Sequence, residues 1–145
     1  MHACDISRDI FRITGYNQSV TTAQCLQHMV AFVVGMGNYT KPFQKLAKPV
    51  KDAKAIRDVL KDQNAEVYFA NDCDVDEFEE SFGLFLAAVR PRDAAFLFYA
   101  GHAVMLKNSL RLVAVSNYSA STDKANPSTP DIESNSLNLD TLVAR

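Results

Sequence analysis

One glycine beyond a run of seven apolar residues stands the side chain best suited to chemistry in this 145-residue sequence. The run is Ala94-Ala95-Phe96-Leu97-Phe98-Tyr99-Ala100, then Gly101, and the side chain is His102. An imidazole at the mouth of a buried strand titrates near neutral pH and can move a proton. The same position also suits a histidine that closes a strand end with a hydrogen bond, and position alone leaves both readings open. Cys4, Cys25 and Cys73 have no CxxC spacing and no pairing with the three histidines. Neither a zinc site nor a disulfide framework is expected, and an odd set of thiols suits a reducing, cytoplasmic compartment. Asp72, Asp74 and Asp76 alternate like the start of a calcium loop. Glu77 stands where that loop needs Gly, however, and Gly83 where it needs Glu. Gly35-x-Gly37 lacks the third glycine of a dinucleotide cradle, since Thr40 takes its place. No metal and no cofactor is expected.

The histidine must be positioned by the elements around it. Met29-Val30-Ala31-Phe32-Val33-Val34, stopped at Gly35, is apolar on both faces, as a central parallel strand must be. Pro49 suits a first helical turn, and Val50, Ala53, Ile56, Val59 and Leu60 follow it at helical spacing. Ala65–Ala70 reads as a second strand. Asp74 with Glu77 forms a capping-box pattern, and Val75, Phe78, Phe82, Phe85, Leu86 and Val89 carry a second amphipathic helix to Pro91. Ala94–Ala100 is a third strand. Val104–Leu106 and Leu110–Val115 read as a hairpin joined through Lys107-Asn108-Ser109. Residues 116–136 read as a long polar loop, and a last helical pattern starts near Asn138.

The order β-α-β-α-β predicts an α/β fold, with a parallel sheet of order 2-1-3 and helices on both faces. The chain reverses across the sheet between the first and third strands. Ligands in such sheets bind beyond the strand C-termini at that reversal, where the Gly35–Asn38 turn and Gly101-His102 converge.

Composition narrows the function. A net charge of −2 gives no global basic field, so nucleic acid is not an expected partner. No apolar run approaches the roughly 18 residues of a membrane span. The N-terminal residues lack the apolar core of a signal peptide. Residues 1–28 read as an extension with one short strand near Ile10–Ile13, and residues 29–145 as the domain proper.

Phe98-Tyr99-Ala100-Gly101-His102 resembles the strand-plus-histidine motif F-Y-Y/F-A/S-G-H-G of the caspase-like cysteine peptidases, in particular their metacaspase and bacterial branch. Ala31–Tyr39 is similar to the family's A-L-V-I-G-x-x-x-Y, and Leu46–Ala53 to its L-x-N-P-V-N-D-A. The three landmarks lie in the right order and span about Val30 to Val115. The resemblance implies a caspase-haemoglobinase-like fold, incomplete at the C-terminus, and a Cys–His dyad acting on peptide or protein substrates.

In that scheme His102 is the catalytic acid. The residue after it gives a backbone N–H to the oxyanion hole, and here that residue is Ala103 instead of Gly. Asp52 matches the aspartate that lines the S1 pocket of metacaspases, which implies Arg or Lys at P1. Lys48 and Lys51 replace the family's Asn residues. Calcium activation would follow from the resemblance only. The nucleophile belongs on a later strand, and no cysteine follows Cys73; the chain is therefore expected to be inactive alone. A non-catalytic relative, serving as a binding or regulatory module, is the alternative. An unrelated flavodoxin-like signalling domain is a third reading.

Overall fold

A computed structural model of the chain describes residues 28–115 and 129–145. Its centre is β1 (Met29–Gly35), of which every residue except Met29 is buried. β2 (Glu66–Asn71) and β3 (Ala94–Ala100) flank it, both parallel, giving the order β2-β1-β3. Val33 pairs with Phe69 on one side and Phe98 on the other. The predicted sheet and its order are as observed.

Alternation along β1 sorts its side chains between two helices. Ala31 and Val33 meet Ala53, Ile56 and Leu60 of α1 (Pro49–Asp62). Val30, Phe32 and Val34 join Phe78, Phe82 and Phe85 of α2 (Val75–Ala88). The two helices therefore cover opposite faces. On the α1 side the packing is close because the contacts are small. A Cβ on Gly35 would lie 2.7 Å from the Pro49 carbonyl oxygen and 2.8 Å from Ala53 Cβ. On the α2 side the packing is aromatic. The Phe32 ring meets Phe78 edge-on at 5.2 Å and stacks on Phe85 at 5.8 Å. Both geometries are ones that ring quadrupoles favour.

The helix starts follow from local chemistry. Pro49 opens α1, where a missing N–H costs nothing. Asp74 accepts from the Glu77 N–H at 2.9 Å while Glu77 accepts from the Asp74 N–H at 3.1 Å, completing the predicted capping box. Asp76 and Glu77 also put negative charge in the first turn, where the helix dipole favours it.

A second, antiparallel sheet of order β4-β5-β6 follows β3. β4 (Ala103–Leu106) and β5 (Ser109–Val113) form the predicted hairpin. Its turn is Lys107-Asn108, with φ of 50° and 62°, the left-handed pair of a two-residue turn that matches strand twist. The predicted polar loop needs correction. Residues 116–128 lie outside the described part, but Thr129–Ser134 is helix α3 and Ser136–Asn138 is strand β6. Arg111 orders this stretch from a distance. Its Nε donates to Ser136 Oγ at 2.8 Å, and its Nη2 to the carbonyls of Glu133 and Ser136 at 2.9 and 2.8 Å. Leu137 is buried with them. Asn138 then caps α4 (Leu139–Val143), as predicted, by accepting from the Asp140 N–H.

The expected extension and its short strand lie outside the described residues, His28 apart. No helix among the described residues is long and apolar enough to cross a membrane.

Candidate active site

The C-terminal ends of β1 and β3 lie side by side, Gly35 opposite Ala100, and the Met36 N–H continues the pairing to the Ala100 carbonyl at 2.8 Å. Two loops therefore leave the sheet next to each other, one toward α1 and one toward β4. The first is shaped by Asp72, whose Oδ1 accepts from the N–H groups of Gly37 and Asn38 at 2.7 and 2.8 Å. It carries Tyr39, Phe43 and Gln44. The second loop is Gly101-His102.

Two tyrosine hydroxyls, one on buried Tyr39 and one on half-buried Tyr99, join the loops. The His102 N–H donates to Tyr39 Oη at 3.0 Å, and Tyr39 Oη donates to the Val113 carbonyl at 2.9 Å. Tyr99 Oη lies 3.2 Å from Tyr39 Oη and 2.8 Å from the carbonyls of both His102 and Val113. The hydroxyl pair occupies the space where a side chain at position 101 would go. A Cβ on Gly101 would stand 2.5 Å from Tyr39 Oη and 2.6 Å from Tyr99 Oη. Glycine is thus required here by the tyrosines.

The half-buried His102 ring packs edge-on against Tyr39 at 4.7 Å and tilts against Phe43 at 5.3 Å. Its Nε2 lies 2.9 Å from the Gln44 carbonyl oxygen. A carbonyl can only accept, so Nε2 carries the hydrogen and Nδ1 is the basic nitrogen. The contact does two things. It fixes the ring's orientation, and it holds the Nε2 hydrogen so that Nδ1 is the nitrogen left to exchange a proton. A cleft of about 580 Å³ is lined by Tyr39–Lys45, the loop whose Tyr39 and Phe43 rings pack on the imidazole.

The other predicted site residues are placed differently. Ala103 starts β4 opposite Leu112. The Val113 N–H bonds to the His102 carbonyl at 3.0 Å, so ladder alternation turns the Ala103 N–H away from β5. Asp52 is exposed in α1, and no contact joins it to His102 among the described residues. Cys73 is buried beyond β2. Gln44 was not legible in the sequence because it acts through its main-chain carbonyl, which no side-chain type signals. Tyr39 and Tyr99 stood in the two motifs, but only the fold brings their hydroxyls together.

A caspase-domain family model matches residues 28–142. The chain belongs to the caspase-domain family. No curated protein gives a match. The family is one of cysteine peptidases, hydrolases whose substrates are proteins, and the observed sheet is that of the caspase-haemoglobinase-like fold. In this caspase domain the histidine loop and the cleft lie together at the C-terminal edge of the sheet, at the predicted chain reversal.

The same region is expected to make the domain sensitive to alkali. Burial pushes the Cys73 thiol from 9.0 up to about 12, with the Glu77 carboxylate adding to the shift. Burial likewise raises Tyr39 and Tyr99 above the usual phenol value of 10.0. Groups whose pKa is higher in the fold than in the open chain stabilise the fold fully below their unfolded values. That contribution is lost as pH rises toward the folded ones. The midpoint of thermal unfolding is therefore expected to fall from about pH 9 upward. Cys73→Ala should flatten its slope between about pH 9 and 12, and calorimetry across that range checks it.

Proposed function

We propose that this caspase domain supplies the histidine half of a Cys–His peptidase site, with His102 as the acid and base. The observation that carries the reading is the His102 imidazole held at the end of β3 with Nε2 on the Gln44 carbonyl, 2.9 Å away. Nδ1 is then left to take the proton of a cysteine thiol. The thiolate attacks the scissile carbonyl carbon, a sulfur–carbon bond forms, and the carbonyl electrons move to oxygen. The Ala103 N–H is assigned as a donor to that oxyanion. As the carbon–nitrogen bond breaks, the imidazolium gives its proton to the leaving amine. Water activated by the neutral imidazole then releases the acyl group.

None of the chain's own thiols is assigned as the nucleophile. Cys73 is buried and its thiolate is disfavoured. Cys4 and Cys25 belong to the proposed N-terminal extension, residues 1–28. The 145 residues alone are therefore expected to cleave nothing. The odd cysteine count supports a cytoplasmic setting. The second reading is a catalytically dead caspase-like binding or regulatory module; a longer chain whose next parallel strand lacks a cysteine would favour it.

For specificity we take the domain as metacaspase-like, with Asp52 as the S1 carboxylate and Arg or Lys at P1. Asp52 stands near the start of α1, close in sequence to the loop that holds Gln44. A charge-assisted, bidentate bond to Arg contributes about 1.5–3 kcal/mol, or roughly 10- to 100-fold in kcat/KM. A peptide library varied only at P1, cleaved by a chain that joins this domain to its cysteine, is expected to prefer Arg and Lys. Asp52→Ala should remove that preference. Cleavage after Asp, or a basic preference unchanged by the substitution, would take Asp52 out of the site.

A further inference from the structure

Charge is unevenly distributed over this domain. Between Gly37 and Lys54 there are five lysines, Lys41, Lys45, Lys48, Lys51 and Lys54, and a single acid, Asp52, a net of +4 in a chain of net −2. All five lysines are exposed. The ion pairs of the described residues are Arg57–Asp58, Lys107–Glu133 and Arg145–Glu79, and none involves these lysines. Lys41 and Lys45 line the cleft beside His102, and Gln44, whose carbonyl holds the imidazole, lies between them.

The arrangement works against the fold that carries it. Lys48, Lys51 and Lys54 repeat at a three-residue interval along the start of α1, where like charges repel one another and oppose the helix dipole. α2 shows the opposite choice in the same chain, with acids and no base in its first turn. A cationic helix start of this kind is relieved by an anion from outside the domain.

We propose that the Lys41–Lys54 face is a docking surface for an acidic segment of a partner polypeptide, held beside the His102 cleft and outside the scissile position. The six steps from Lys48, the N-cap of α1, to Lys54 rise about 9 Å. An extended peptide covers that distance in about three residues, so three or four Asp or Glu side chains match the lysines. Polypeptide is favoured over nucleic acid because the basic surface is short and the remaining charge is acidic. Asp74, Asp76, Glu77, Glu79 and Glu80 cluster at the start of α2, on the opposite face of the sheet, and Asp72 lies against the Gly37–Asn38 turn; together they would repel a longer polyanion. The face lies on the peptidase domain but does not depend on turnover, so it stands or falls separately from the catalytic reading.

The test is fluorescence anisotropy on the 145-residue chain with a labelled eight-residue peptide bearing four glutamates. A glutamine version of the peptide and an oligonucleotide of equal charge serve as comparisons. The glutamate peptide is expected to bind, and to bind more weakly as salt shortens the Debye length; the glutamine peptide is not. The triple variant Lys48→Gln, Lys51→Gln, Lys54→Gln and the double variant Lys41→Gln, Lys45→Gln should each weaken binding about tenfold or more, roughly 1.4 kcal/mol. Lys61→Gln, at the far end of α1, should change it little. All these side chains are exposed, and circular dichroism confirms that each variant is folded. Absence of glutamate-peptide binding, equal binding by the triple variant, or tighter binding of the oligonucleotide would overturn the proposal.

Discussion

Replacing His102 by alanine, in a chain that joins this domain to its cysteine, is expected to lower kcat by roughly 100- to 10,000-fold. KM should change little, because in the proposed mechanism the imidazole acts on the reacting bond and not on the rest of the substrate. The fold should survive. The bonds that tie this residue to its surroundings run through its main chain, from the His102 N–H to Tyr39 Oη and from Tyr99 Oη to the His102 carbonyl. Alanine keeps both. The ring itself is half-buried against Tyr39 and Phe43, so its removal costs contact area without opening the core. Kinetics on peptide substrates, paired with thermal unfolding of the same variant, check the two parts together. Near-normal turnover by a folded variant would show that another group moves the proton.

Phe32→Ala should have the largest effect on stability, about 3–5 kcal/mol. Phe32 is 0% exposed at the middle of the central strand, and its ring touches those of Phe78, Phe82 and Phe85. Truncation leaves a cavity that these large, mutually packed rings cannot fill without leaving their rotamers. A domain of this size has about 5–15 kcal/mol to lose, so the change removes a large share of it. Leu84→Ala, on the exposed side of α2, is the contrast. Leu84 is 57% exposed, and its loss should cost about 0.5 kcal/mol or less. Denaturant unfolding of the two variants beside the parent measures the difference.

Local chemistry makes most of the fold legible in the sequence. The apolar run at β1, the Asp74–Glu77 capping box and Pro49 at the start of α1 each act within a few residues of themselves. Sequence periodicity therefore located them to within a residue or two. Residues 129–136 read as loop for the opposite reason. Their helix and strand are held by Arg111, 22 to 25 residues away, and by pairing of β6 with β5. A polar composition said nothing of either.

The candidate site divides the same way. His102 could be found because Phe98–His102 resembles the strand-plus-histidine motif of the caspase-like family; its position after an apolar strand suits a strand-closing histidine equally well. Its orientation could not be found this way. Orientation comes from a main-chain carbonyl at Gln44 and from two hydroxyls, Tyr39 and Tyr99, brought together from residues 60 apart. Asp52 remains a motif match, and α1 holds it exposed among lysines.

The central claim is that these 145 residues carry the histidine of a Cys–His site and no nucleophile to use it. Intact-mass measurement after treatment with a thiol-reactive peptide ketone bearing Arg at P1 tests this most directly. The expected result is no labelling above that given by the same reagent without its peptide, and no difference between the parent and His102→Ala. Stoichiometric labelling of Cys4, Cys25 or Cys73 that disappears in His102→Ala would contradict it, because it would place a working nucleophile against His102 within this chain.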